Sequence, residues 1–497
     1  MTNDGFYGSA DPARRRRRRL ILLLLVALAA FGGVFAYVQF FRREPPPVFA
    51  SDEDHFLFGS IGTEDPGGVP YWIWLVLPRI FPEYLPAPGG YASLGLLSKD
   101  GREMPVGLSK VKIGFERVGI NCSFCHTGSY RLRADDPPTV VATAPAQRSS
   151  PQAYVRFLIA CASDPRFNAD TIMAEIAKNY RMPVMDRLTY RFLIIPFTRR
   201  GILRLKEQDA WMNDRPDWGR GRIDPFNPVK FQYLGQKVDN TIGNSDMQPV
   251  WNLNAHAGYV FHWDGLQTDL REVVLSSAIG DGAPLKWVDR DLRGWNETRP
   301  ETMSSLRRIQ NFIGTVPPPK YPLSVDATLA ATGAAVYQQN CASCHAFGGN
   351  RTGTLIPAEE VGTDRHRLDM WTPAAAAAYN NYTTKYEWKL THFRSTKGYT
   401  SVPLDGLWLR GPYLHNGSVP TLADLLKPVD QRPRQFWRGY DVIDRDGVGF
   451  ESFSPEAQRT GTPFDVSKAG NSNAGHTYGT MLPEDQKRAL IEYMKTL

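Results

Sequence analysis

Four of the five cysteines fall in two identical patterns, Cys122-Ser123-Phe124-Cys125-His126 and Cys341-Ala342-Ser343-Cys344-His345. Two thiols three positions apart on one turn can each add to a vinyl group of a haem, and the imidazole that follows reaches the iron. With five Cys and nine His in 497 residues, about 0.001 such patterns are expected by chance, yet the chain has two. Two short disulfides would leave both histidines unexplained, and a Cys/His zinc site normally draws on cysteine pairs close together in the chain. The chemistry expected is covalent attachment of two haem c groups through Cys122, Cys125, Cys341 and Cys344, with His126 and His345 as iron ligands. Cys161, closing the apolar run Phe157-Leu158-Ile159-Ala160-Cys161, reads as a small buried hydrophobe.

The elements that must hold these groups read as mainly α. Residues 327–340 form a helix-prone run that feeds directly into the second motif, with Gly333 and Tyr337 on one face. At the far end, residues 483–497 give another helix, with Pro483 in its first turn and Leu490, Met494 and Leu497 on one stripe. Upstream, helical patterns lie around residues 152–161, 169–179 and 302–312, and no strong strand alternation is present. The expected architecture is two cytochrome c-like haem domains behind a single N-terminal transmembrane helix. Its parts are a cytoplasmic basic tail at 1–19, an anchor at 20–41 and a Pro-rich spacer at 42–50. An N-terminal haem domain at 51–316, a Pro-rich linker at 317–322 and a C-terminal cytochrome c domain at 323–497 follow.

Composition fits that layout: 42% hydrophobic, 22% charged and 12% aromatic residues exclude a disordered or fibrous chain. The formal charge of +7 is concentrated at the start. Residues 1–43 hold eight Arg/Lys (Arg14 to Arg19, Arg42 and Arg43) against Asp4 and Asp11, which leaves +1 for the rest and excludes a nucleic-acid partner on net charge. Residues 20–41 carry no charge, and 22 helical residues cover the ~30 Å hydrocarbon layer. Six preceding arginines favour the cytoplasmic side, so the expectation is a single pass of the inner membrane with the remaining chain in the periplasm. A cleaved secretory signal, with Val48-Phe49-Ala50 as its site, is the competing reading.

Seven histidines remain, His55, His256, His262, His366, His392, His415 and His476, and each reads first as an ordinary hydrogen-bonded residue. Residues 321–497, a helix entering the attachment motif and a closing helix, resemble a class I cytochrome c domain. The segments Arg410-Gly411-Pro412-Tyr413-Leu414-His415-Asn416-Gly417 and Trp251-Asn252 to His262-Trp263-Asp264-Gly265 resemble paired motifs of the bacterial di-haem cytochrome c peroxidase superfamily. The chain is most similar to the rubber oxygenase-like branch through Gly219-Arg220-Gly221-Arg222-Ile223-Asp224-Pro225-Phe226, Val361-Gly362-Thr363-Asp364 and Gly475-His476-Thr477-Tyr478-Gly479.

The resemblance implies His476 as the sixth ligand of the second iron, because the stretch where a peroxidase has its ligating Met is Lys427-Pro428-Val429. It implies Trp263 as a relay between the haems and His415 as a structural residue. Trp251 and Phe261 are candidates for an apolar wall of the first site, and His262 is a candidate for reaching a propionate. The first iron is expected to be open, because no histidine occurs from Thr127 to Ala255. The superfamily's proton-moving glutamate has no equivalent in Gly280-Asp281-Gly282-Ala283-Pro284-Leu285, where Asp281 is the one carboxylate available as a substitute. The expectation is a di-haem oxidoreductase that activates O2 or peroxide at the His126 haem and passes electrons through the His345/His476 haem, with a cytochrome c or small copper protein as electron partner. The alternatives are a cytochrome c peroxidase and a non-catalytic electron carrier.

Overall fold

The computed structural model describes residues 12–65, 67–294 and 303–497, so residues 1–11 of the basic tail and Thr302 of the third upstream helical pattern lie outside the described residues. Helices make up 45% of the structure. The first, Pro12–Ala36, continues through a wider π-type turn at Tyr37–Phe41, and its leucines are exposed on every side. Ala13–Phe41 is long and apolar enough to be a membrane span or a signal sequence. The segment that follows is pinned to the protein. Gly114 N–H donates to the Arg42 carbonyl (2.7 Å) and Glu44 N–H to the Lys112 carbonyl (3.0 Å). Gly114 makes this approach possible: its φ is +72°, and a Cβ there would sit 2.2 Å from the Gln39 carbonyl oxygen.

The helices expected upstream are present as Pro151–Ser163, Ala169–Ala177 and Ser305–Thr315. The structure adds strands. Val69–Pro70, Phe115–Ile120 and Leu108–Ile113 form a three-stranded antiparallel sheet with Phe115–Ile120 in the centre, and several two-stranded ribbons occur elsewhere. These strands are two to six residues long, too short for a clear period. Alternation is further hidden because Ser109, a buried polar residue, bonds the buried carboxylate of Glu64, which Ser60 also reaches.

The two largest apolar cores among the described residues share the two halves of the chain. The larger runs from Phe56 to Ile313 and takes in Met370, Trp371, Tyr379 and Phe393 from the carboxy-terminal part. The smaller contains Val336, Tyr337, Trp408, Leu490 and Met494, and takes in Ala144 and Trp251 from the amino-terminal part. In the smaller core, helix Ala327–Asn340 crosses helix Glu484–Met494 closely. Gly333 lies at the crossing, where a Cβ would come within 1.8 Å of the Ala489 carbonyl oxygen, and the Tyr337 and Tyr493 rings meet at 5.1 Å. Asp326 caps the first of these helices by accepting from Thr328 and Leu329 N–H at 3.0 Å each.

Candidate haem centres

The first motif is a tight turn fixed from behind. Asn121 is buried; its Oδ1 accepts from Ser123 N–H (3.0 Å), and its amide nitrogen donates to the Leu57 (3.2 Å) and Gly59 (3.0 Å) carbonyls. These bonds tie the turn to helix Asp52–Phe58. The His126 backbone N–H donates to the Cys122 carbonyl (3.1 Å), which closes the turn that carries all three side chains. Its Nδ1 lies 2.7 Å from the Gln248 carbonyl, a group that only accepts, so Nδ1 carries the ring proton and Nε2 keeps a free lone pair. That is the tautomer and orientation of an iron-ligating histidine.

The second motif repeats the arrangement with different supports. Helix Ala327–Asn340 runs into it, His345 N–H donates to the Cys341 carbonyl (3.0 Å), and His345 Nδ1 donates to the Val402 carbonyl (2.8 Å). Burial holds His126 and His345 below the usual imidazole pKa, which keeps both rings neutral and able to ligate. All four thiols are free and partly exposed, so no disulfide competes with attachment.

Cys122, Cys125, His126, Trp251, Phe261 and Trp263 line one cavity of ≈ 270 Å³. Trp251 is fully buried, with its indole N–H on the Asp405 carbonyl (3.2 Å). Trp263 donates to the Asp246 carbonyl (2.8 Å) and packs with Ala358, Leu368, Tyr399 and Val361. Val361 in turn receives the His476 N–H (2.7 Å), so Trp263 lies between the first cavity and the segment that carries His476. His262 also lines the cavity, at φ +66°, and burial lowers its pKa to about 4. The Nε2 atoms of His256 and His262 are buried without a partner among the described residues, and both residues line this cavity with Arg367 and Arg410. Arg367 is already held by Asp264, whereas Arg410 Nε, like the two imidazole nitrogens, has no partner among the described residues; such orphaned buried groups at the edge of a mainly apolar cavity suit a flat apolar group with an anionic edge, as haem is.

Asp281 is one of the carboxylates of the cavity wall, with Asp224 and Asp246. It follows helix Leu270–Gly280, no protein donor reaches its carboxylate among the described residues, and burial raises its pKa to about 7. The missing glutamate of the sequence analysis therefore has a carboxyl group in the cavity to stand against it.

The two imidazole sites differ. His345 and His476 face each other with ring centres 6.1 Å apart and planes at 45°. A metal bonded to one nitrogen of each ring at about 2 Å puts the centres about 6 Å apart, so this pair fits two-sided ligation. His476 Nδ1 is buried without a partner among the described residues, and burial lowers the ring's pKa to about 4, with the nearby His345 adding to the effect. Its loop is held by the buried guanidinium of Arg432, which donates to the carbonyls of Asn473 (2.6 Å), Gly475 (2.8 Å) and His476 (3.1 Å). Among the described residues, no imidazole faces His126 in this way; the only ring packed on His262 is Phe226, at 5.8 Å.

The remaining histidines have local roles. His415 stacks on Tyr399 at 4.1 Å, and its Nε2 is 3.0 Å from that hydroxyl. His55 pairs with Ser305, and His366 with Asp364. His392, Glu272 and Asp269 form a cluster of possible metal-ligand type. The Glu272 oxygens already accept from Thr391 N–H, His392 N–H and the Gln267 amide, so the cluster is a clip between chain segments. Sequence reasoning missed the carbonyls of Gln248 and Val402, His256 as a cavity residue, and Arg432. A carbonyl has no side-chain signature, and Arg432 stands in the polar run Lys427-Pro428-Val429-Asp430-Gln431-Arg432-Pro433-Arg434, where nothing separates it from a surface arginine.

Comparison with known proteins bears on the carboxy-terminal part. Residues 328–390, which include the second attachment motif, match the family described as cytochrome C oxidase, cbb3-type, subunit III. Residues 398–438, which include Arg410 to Gly417, match the family described as RoxA-like, cytochrome c-like. Two proteins of Sinorhizobium fredii are similar in sequence. The uncharacterized protein y4iJ is 29% identical, with 42% of this chain and 44% of that protein covered. The uncharacterized protein y4iM is 31% identical, with 38% and 53% covered. The chain thus spans about half the length of the curated relatives it matches. The two family matches support a cytochrome c haem family, with covalently bound haem c and a role in electron transfer or oxidoreduction.

Proposed function

We propose that the chain is a membrane-anchored periplasmic di-haem oxidoreductase, with O2 or peroxide activated at the His126 site and electrons passing through the His345/His476 site. The observation that carries this reading is the asymmetry between the sites: His345 has His476 6.1 Å away across a gap, and His126 has no such partner among the described residues. A haem held by thioethers and one imidazole supplies electron transfer and, on an open face, binding of a small oxidant.

The residues around the first site have separable tasks. Cys122, Cys125 and His126 would hold the group, and the Gln248 carbonyl fixes the ring tautomer. Trp251 and Phe261 supply apolar wall that excludes water. Asp281, with a pKa near neutrality, is placed to hold or release a proton at its carboxyl oxygens. At the second site His345 and His476 would hold the group, and the chemistry it would supply there is electron transfer. Trp263, between the two, is the candidate relay, and a cytochrome c or small copper protein is the candidate electron partner. Asp281 favours peroxide reduction as the second reading, because cleaving an O–O bond needs a proton source beside it.

Carbon monoxide titration of the reduced, haem-loaded chain tests the proposal. One CO bound per chain supports it. None bound per two haems makes the protein an electron carrier, and two bound removes His476 as a ligand.

A further inference from the structure

We propose that the outward face of helix Val184–Gln208 lies in the headgroup region of the bilayer, on anionic lipid, beside the point where the N-terminal helix leaves the membrane; this rests on reading residues 20–41 as the anchor. The segment is continuous, through Val184–Thr189, a π-type turn at Tyr190–Ile194, and Ile195–Gln208. Its inner face is ordinary core: Tyr190, Ile194, Ile195 and Ile202 are buried. Its outer face is also apolar. Val184, Leu188 and Phe192 follow one another at intervals of four with Met185 and Phe197 beside them, and Phe192 and Phe197 are 64% and 62% exposed. A contiguous exposed apolar patch of this kind marks an interface.

Two observations say what covers it. The first is position. Gln39, in the last turn of the N-terminal helix, donates to the Asp186 carboxylate at 3.1 Å, the Arg117 guanidinium donates to the Phe40 carbonyl (3.3 Å), and Phe115 packs on Tyr190 at 6.2 Å. The exit of the anchor and the start of the patch are therefore at the same level. The second is charge. Residues 178–206 contain eight Lys/Arg and one acid, Asp186. Among the described residues, Arg181, Arg187, Arg200 and Arg204 have no carboxylate partner. Apolar side chains flanked by unpaired arginines suit a surface helix that buries its apolar face at the acyl boundary and meets lipid phosphates with its flanks. Tyr180, stacked on Trp72 at 4.2 Å, adds an aromatic pair at the edge of the patch.

The test uses the full, haem-loaded chain in nanodiscs containing phosphatidylglycerol. Phe192→Cys and Met481→Cys, the latter at an exposed site in the carboxy-terminal part, are compared for reaction with a membrane-impermeant maleimide; Cys161 is buried and does not report. The proposal expects Cys at 192 to react about tenfold or more slowly than Cys at 481. Equal rates overturn it. So does protection that persists in a lipid-free oligomer, which assigns the face to a second copy of the chain. Alkaline extraction and intact mass report separately on the anchor. If residues 1–50 prove to be cleaved, flotation of the mature chain with anionic vesicles, lost in the Phe192→Asp, Phe197→Asp double variant, still supports the surface. Failure of the unaltered mature chain to float rejects it.

Discussion

Replacing Asp281 by Asn removes one buried charge and keeps the shape of the side chain. In the fold, burial raises this carboxyl from 3.8 to about 7. A raised carboxyl pKa means that the ionised form is less stable in the folded chain than in the unfolded one. The native protein therefore loses stability relative to the Asn variant as pH rises from about 4 to about 7, and the difference is constant above that. Roughly three pKa units at 1.36 kcal/mol each give about 4 kcal/mol as the ceiling. The carboxyl keeps part of its surface open to the cavity, so about 2 kcal/mol is the lower figure. Urea unfolding of the haem-loaded protein and the variant across pH 4.5–8.5 measures the difference directly. The variant is expected to gain on the native protein through this window, while peroxide turnover falls by about a hundredfold if the carboxyl supplies the proton. A stability difference that does not change with pH, or an Asn variant weaker at pH 8, refutes the reasoning.

Three further outcomes follow from the geometry. His476→Gly takes away the ring facing His345, so CO binding to the reduced protein rises from one to two per chain. Arg432→Met leaves the carbonyls of Asn473, Gly475 and His476 without their buried donor; destabilisation of about 3 kcal/mol and a smaller low-spin fraction are expected from unfolding and optical spectra. Gly333→Val forces apart the helices at the point where a Cβ already comes within 1.8 Å of a carbonyl oxygen. A loss of about 3 kcal/mol or failure to mature is expected, read as melting temperature and haem content.

How much of this was legible in the sequence depends on distance along the chain. The attachment motifs are local, and their residue types alone specify the chemistry. The helix Glu484–Met494 was visible through its apolar stripe, and Ala327–Asn340 as a helix-prone run entering the motif with Gly333 and Tyr337 on one face; that Gly333 lies where the two cross was not. The first cavity is different: its wall draws on Phe56, Asp281, Ile313 and Arg410, which no periodicity connects. His476 emerged only through its resemblance to a family pattern, because a loop histidine at φ +44° has no distinguishing neighbours in sequence. The basic outer helix was hidden by averaging. A net charge of +1 after residue 43 is correct for that whole stretch, yet within it residues 178–206 hold eight basic side chains against one acid. Net charge spoke only against a nucleic-acid partner, and it could not show this local cluster of basic residues.

Electron paramagnetic resonance of the oxidised, haem-loaded chain examines the two sites in one spectrum. The account predicts equal amounts of high-spin and low-spin ferric haem, the first from the His126 site and the second from the site closed by His345 and His476. Two low-spin signals in the resting protein would contradict it.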